Sequence, residues 1–138
     1  MKVTGACHCG FLAFEAEVDP ATAGICHCTD CQVFSGSAFR AGVSGAETDF
    51  RLLAGTPKVY MKTAESGARR AQAFCPECGT HIYATSAPAA GGEGTRSFRI
   101  RLSTLRERDA LPPRHQIWTR SSPAWLAQLA SLPRRERQ

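Results

Sequence analysis

Seven cysteines fall in three tight clusters and nowhere else along the chain: Cys7-His8-Cys9-Gly10, Cys26-His27-Cys28-Thr29-Asp30-Cys31 and Cys75-Pro76-Glu77-Cys78-Gly79. An odd number of thiols does not divide into disulfides, whereas a metal reading can use four in one place and three in another. Zinc takes four ligands at tetrahedral angles, and two cysteines separated by one or two residues can grip it from a single turn. The simplest partner for Cys75 and Cys78 is the other two-cysteine cluster, Cys7 and Cys9, which predicts a closed, structural four-thiolate site. Gly79 follows that knuckle directly and lets the chain turn, so that backbone amides approach the sulfurs.

The remaining Cys26, Cys28 and Cys31 offer three thiolates from one short segment, leaving a fourth position for water or a substrate atom, the feature that separates catalytic from structural zinc. Two Zn2+ ions per chain are therefore expected, one structural and one catalytic. Three thiolates leave the second complex with a net charge near −1, which makes it a weak activator of water. A soft sulfur ligand suits the vacancy better, and the site is expected to hold a thiol substrate as thiolate beside an electrophile. The competing arrangement is a closed Cys3His site, completed by His8, His27 or His81.

A chain of 138 residues with 43% apolar and 21% charged residues fits one globular folding unit rather than a disordered, collagenous or membrane protein. We place one zinc-binding domain at 1–133 and a basic tail at 134–138. No run approaches the ~18 apolar residues that cross a bilayer, and the start MKVTGACHCG has no apolar signal segment. A cytoplasmic location follows as an expectation, and thiols stay reduced there. The formal charge is +5, and fourteen of the seventeen basic residues are arginine, which pairs bidentately with carboxylate or phosphate. Arg40, Arg99 and Arg101 are candidates for a carboxylate of a thiol substrate. No aromatic-lined or helical reading motif argues for nucleic acid. The oligomeric state is not encoded in any motif.

Alternation marks the strands. In Phe11 to Val18, Leu12, Phe14, Ala16 and Val18 face opposite to Glu15 and Glu17, and Asp19-Pro20 is read as the stop. Further strands are expected at Ala38 to Val43, Phe50 to Leu53, Val59 to Met61, Ala71 to Phe74, His81 to Ala84 and Phe98 to Leu102, and a loop at Ala87 to Gly94. Helical turns are expected from Asp30 to Phe34 and from Pro123 to Leu132, the latter behind Ser121-Ser122 with Trp125, Leu129 and Leu132 on its inner face.

The order of Gly5-Ala6-Cys7-His8-Cys9-Gly10, then CHCTDC from Cys26 to Cys31 with Ser35-Gly36 behind, then FCPECGT from Phe74 to Thr80, resembles the glutathione-dependent formaldehyde-activating enzyme family, which also contains centromere protein V. Gln116-Ile117-Trp118-Thr119-Arg120-Ser121 with Trp125 is similar to that family's carboxy-terminal signature. The resemblance implies a mainly β, Mss4-like fold of several small curved antiparallel sheets stapled by zinc, with one or two short helices. It implies the same division of ligands, Cys7, Cys9, Cys75 and Cys78 structural and Cys26, Cys28 and Cys31 catalytic. The implied activity is that of a carbon–sulfur lyase, S-(hydroxymethyl)glutathione synthase-like, joining formaldehyde and glutathione. A non-catalytic zinc module that binds or carries a thiol compound is the rival reading.

Overall fold

The computed structural model describes residues 1–64, 66–87 and 96–137. The fold is mainly β. Ten strands run in the order β1 (Lys2–Ala6), β2 (Ala13–Glu17), β3 (Asp19–Cys26), β4 (Arg40–Ala46), β5 (Phe50–Ala54), β6 (Lys58–Thr63), β7 (Arg69–Phe74), β8 (His81–Ser86), β9 (Ser97–Arg101) and β10 (His115–Ile117), with one α-helix, α1 (Thr29–Ser35), between β3 and β4. They form a three-stranded sheet, β1-β2-β5, and a seven-stranded sheet ordered β10-β3-β4-β9-β8-β7-β6. Every pairing is antiparallel except β10 with β3. Among the described residues no helix is long and apolar enough to cross a membrane.

The alternation along β2 decides its orientation: Leu12, Phe14, Ala16 and Val18 are all buried, while Glu15 accepts from Arg51 on the outer face. Buried Val3 and Phe14 of the small sheet share one core with Val43, Ile82, Phe98 and Ile100 of the large one. Phe50 joins them, its ring 5.2 Å from Phe14 and 5.1 Å from Phe98. The two sheets therefore bury each other's apolar faces, which supplies the main driving force for folding.

Three strands escape the alternation argument. β1 carries Gly5 where a large apolar residue would mark the inner face, because Phe14 lies directly across the ladder and an added Cβ would stand 2.2 Å from its Cζ. Asp19-Pro20 follows the end of β2 at Glu17, as expected of a stop, and the same pair also opens β3. Its register on β4 shifts between Asp19 and Gly24, and proline is tolerated in a strand where the ladder is broken in this way. β10 is short, with all three residues alike exposed, so it shows no periodicity.

Helix α1 covers the expected Asp30 to Phe34 turn, with Gly36 closing it at φ 61°. The segment Ala124–Ser131 is a 3-10 helix instead of an α-helix, and Trp125, Leu129 and Leu132 are exposed at 53%, 46% and 53% instead of sharing an inner face. With three residues per turn, Leu129 and Leu132 eclipse each other while Trp125 points about 120° away, so no common stripe forms. Ala87 follows β8; the rest of the expected 87–94 loop lies outside the described residues. Arg134, Arg135 and Arg137 are exposed.

Candidate metal centres and an arginine-lined cleft

The turn between β1 and β2 presents Cys7 and Cys9, and the turn between β7 and β8 presents Cys75 and Cys78. Each is held by backbone hydrogen bonds. Cys7 N–H donates to Leu12 O at 3.0 Å, and Gly79 N–H to Cys75 O at 2.9 Å, with Gly10 and Gly79 at φ 80° and 73°. Left-handed φ at both positions is what glycine accepts at little cost. His8 N–H also donates to Thr80 Oγ1 at 3.2 Å, tying one turn to the other.

The four sulfurs lie within 4.8 Å of one another. Cys7 Sγ and Cys9 Sγ are 3.5 Å apart, and Cys9 Sγ and Cys75 Sγ 3.8 Å, close to the ~3.8 Å edge of a tetrahedron with Zn–S near 2.3 Å. Leu12 N–H donates to Cys7 Sγ at 3.1 Å, the sort of amide that steadies a ligating sulfur. The Thr80 hydroxyl, 3.1 Å from Cys78 Sγ, and nearby backbone amides bring that thiol down to about 5. Donor set and spacing thus fit a zinc ion, and the group bridges a turn of the small sheet to a turn of the large one.

The second group forms where β3 runs into α1. Cys26 ends the strand, Cys28 caps the helix and Cys31 sits in its first turn; their sulfurs also lie within 4.8 Å of one another. Cys31 N–H donates to Cys28 Sγ at 3.4 Å. Cys26 is brought down to about 5, first by hydrogen bonding with the Cys31 thiol, then by the Cys28 amide and thiol and the charge of Arg40; the same pairing, together with burial, pushes Cys31 up. A cation bound there would favour the thiolate form of both sulfurs. This donor set also fits a zinc ion, with one protein ligand fewer than the first.

No histidine nitrogen is grouped with either set of sulfurs among the described residues. His8 is exposed. His27 is buried, its Nε2 2.7 Å from Gln116 Oε1. His81 lies between the rings of Phe34 and Phe74. The Cys3His arrangement is therefore not the one this fold builds.

Cys26, Cys28 and Cys31 line a cavity of about 1020 Å3, and Arg40, Arg99 and Arg101 line it with them. The antiparallel register brings the three arginines together: Cys26 pairs with Arg40 across β3 and β4, and Gly42 with Arg101 across β4 and β9. Gln72 on β7 accepts from both Arg40 Nη1 at 3.1 Å and Arg101 Nη2 at 3.2 Å. Burial, helped by the neighbouring charge of Arg40, brings the Arg101 guanidinium down to about 9, still protonated at neutral pH. Arg99 donates to the carbonyls of Thr22 at 2.5 Å and Gly24 at 3.1 Å.

More of the lining comes from Ile117 at the end of β10, which pairs with Cys26, and from the segment after it. Gln32 Nε2 donates to His27 O at 2.8 Å and Ser121 O at 2.9 Å, while His27 N–H donates to Ile117 O at 3.1 Å. These bonds hold Trp118 at the cavity, in a left-handed φ of 57° that no other non-glycine residue among those described adopts. Arg120 lies over its ring at 4.8 Å. Sequence reasoning missed Gln32 and Gln72, since a single glutamine carries no pattern, and it named Gln116 only as part of a longer segment. Only the likeness of the 116–121 segment to a family signature pointed there.

A family model, "Glutathione-dependent formaldehyde-activating enzyme", matches residues 2–121. Among solved structures, a crystal structure of a Rhodobacter sphaeroides protein superposes with a TM-score of 0.60 at 19% identity, covering 82% of this chain and 98% of that one; at that identity the likeness speaks to fold. No curated protein gives a match. With the family model spanning most of the sequence and both cysteine groups assembled, the chain belongs to the glutathione-dependent formaldehyde-activating enzyme family.

Proposed function

We propose that this protein is a zinc-dependent carbon–sulfur lyase that adds a thiol to a small carbonyl compound, or releases it, with glutathione and formaldehyde as the pair the family name suggests. The observation that carries the reading is the pairing of a three-sulfur group with an adjoining cavity, set against a four-sulfur group that already supplies every ligand zinc needs. Cys7, Cys9, Cys75 and Cys78 would hold a structural ion, and Cys26, Cys28 and Cys31 the catalytic one. A zinc ion in the triplet would supply Lewis acidity that keeps an incoming thiol deprotonated near neutral pH. In the forward direction the sulfur lone pair attacks the carbonyl carbon, a C–S bond forms, the C=O π bond breaks, and the oxygen takes up a proton to give the hydroxymethyl thioether.

The chain's own residues position the partners. Arg40 and Arg101 draw in acid groups, Ile117 and Trp118 line the cavity beside Cys26, and Gln32 fixes that segment to α1. Residues 1–133 act as one zinc-binding unit with 134–138 as a basic tail, and the seven free thiols suit a reducing, cytoplasmic setting.

The test is Cys28→Ser, assayed by NMR for S-hydroxymethyl product from formaldehyde and glutathione, with zinc counted by elemental analysis. Loss of turnover, a folded domain and a zinc content falling from about two to about one per chain are expected. Full activity in the variant would overturn the catalytic assignment.

A further inference from the structure

The cleft beside the cysteine triplet is far more basic than its few acids can balance. Among the described residues that line it, Asp30 is the sole carboxylate, and Lys62 already pairs with it. Arg96 faces Glu47. Arg40, Arg70, Arg99, Arg101 and Arg120 meet no carboxylate within ion-pair distance among the described residues. Three thiolates with a zinc ion leave a charge near −1, which offsets only one of the five.

Arg101 makes the imbalance acute. It is 4% exposed, and its Nε has no hydrogen-bond partner. Its Nη2 shares a single neutral amide oxygen, Gln72 Oε1, with Arg40. A buried cation is stable when paired and costly when not, and among the described residues this network has no negative partner, a place that an anionic ligand would fill. A thiol that also carried an ammonium group would find just one acid among the described residues of the cleft, Asp30, already claimed by Lys62.

We propose that the thiol this cleft takes is a dianionic one, bearing two acid groups and no ammonium, with the arginines around Gln72 as its specificity determinants. The proposal rests on the reading that the triplet receives a thiol, and it departs from a zwitterionic tripeptide as the preferred substrate. The two acid groups neutralise guanidiniums that no carboxylate among the described residues reaches, while the sulfur approaches Cys26, Cys28 and Cys31.

Isothermal titration of the zinc-loaded protein tests it with mercaptosuccinate, glutathione and 2-mercaptoethanol as thiols and with succinate and inorganic phosphate as sulfur-free anions. Mercaptosuccinate should bind at least about ten-fold more tightly than 2-mercaptoethanol, and more tightly than glutathione. That advantage should shrink as salt rises from about 50 to about 500 mM and in Arg40→Gln and Arg99→Gln. The succinate and phosphate arms tell carboxylate from phosphoryl recognition. Equal binding of mercaptosuccinate and 2-mercaptoethanol by the unaltered protein overturns the charge proposal and leaves the thiol reading standing. Binding of mercaptosuccinate no tighter than succinate, with no binding of 2-mercaptoethanol, overturns the thiol reading and this proposal with it. Because both comparisons use the unaltered protein, a variant that misfolds does not blunt them.

Discussion

Gln72→Glu separates the stability of the arginine cluster from its capacity for anions, because it should move the two in opposite directions. The substitution keeps the shape of a side chain that is 3% exposed and accepts from Arg40 and Arg101 at 3.1 and 3.2 Å. It turns two guanidinium-to-amide bonds into ion pairs, each stronger by about 1 kcal/mol. Burying a carboxylate takes back part of that gain, leaving stability higher by about 1 kcal/mol and Tm higher by roughly 3–4 °C. The new carboxyl is held below the ordinary glutamate value near 4.3 by its two cationic neighbours. Its contribution is therefore fully present above that pH and disappears as pH falls through the lowered folded-state value. An anionic ligand on the same guanidiniums would sit about 6 Å from the added charge, where repulsion at an effective dielectric of about 20 costs ~3 kcal/mol, roughly a hundred-fold in affinity. Thermal unfolding from about pH 3 to 8 and titration with succinate read both effects. A variant that unfolds several degrees earlier at neutral pH yet binds succinate as the unaltered protein does would refute the idea that these arginines hold unneutralised charge for a ligand.

Two further outcomes follow from the packing around the cysteine turns. Gly5→Ala would place a Cβ 2.2 Å from Phe14 Cζ and 2.7 Å from its Cε1, and since Phe14 is fully buried the strain should cost about 1–3 kcal/mol. Phe14→Leu in that background should cost less than the two single changes added, and strict additivity in a urea-denaturation cycle would count against the contact. Glu107 accepts from Thr4 N–H at 2.9 Å and Thr4 Oγ1 at 3.1 Å, and the backbone bond first of all lowers its pKa. Its stabilising effect is therefore present above the unfolded value near pH 4.3 and lost as pH falls through the lowered folded one. Glu107→Gln should flatten the acid limb of the stability curve in that window, and an unchanged limb would show that the pairing contributes nothing.

How much of this was legible in the chain itself depends on the range of the interaction. Sulfur spacing is local: two thiols in one turn, or three across a strand end and a helical turn, are brought together by a few dihedral angles. The division of Cys7, Cys9, Cys75 and Cys78 from Cys26, Cys28 and Cys31 could thus be written down from spacing, and the fold gathers the sulfurs in those two groups. The alternation in β2 was equally readable, because one of its faces is buried and the side-chain period of a strand is two. β1 and β3 were hidden, since Gly5 yields its space to Phe14 and Pro20 sits where the ladder breaks.

The sequence by itself determined which residues could meet a metal ion and which strand faces turn inward, for both are set by spacings of a few residues. Only the tertiary structure decided that Arg40, Arg99 and Arg101 share a cleft with the cysteine triplet, that Gln72 lies between two of them, and that Trp118 lines the same cleft. Those placements depend on strand order and register across a seven-stranded sheet, where a slip of one residue would turn each arginine to the opposite face, and no local pattern in the chain records that register.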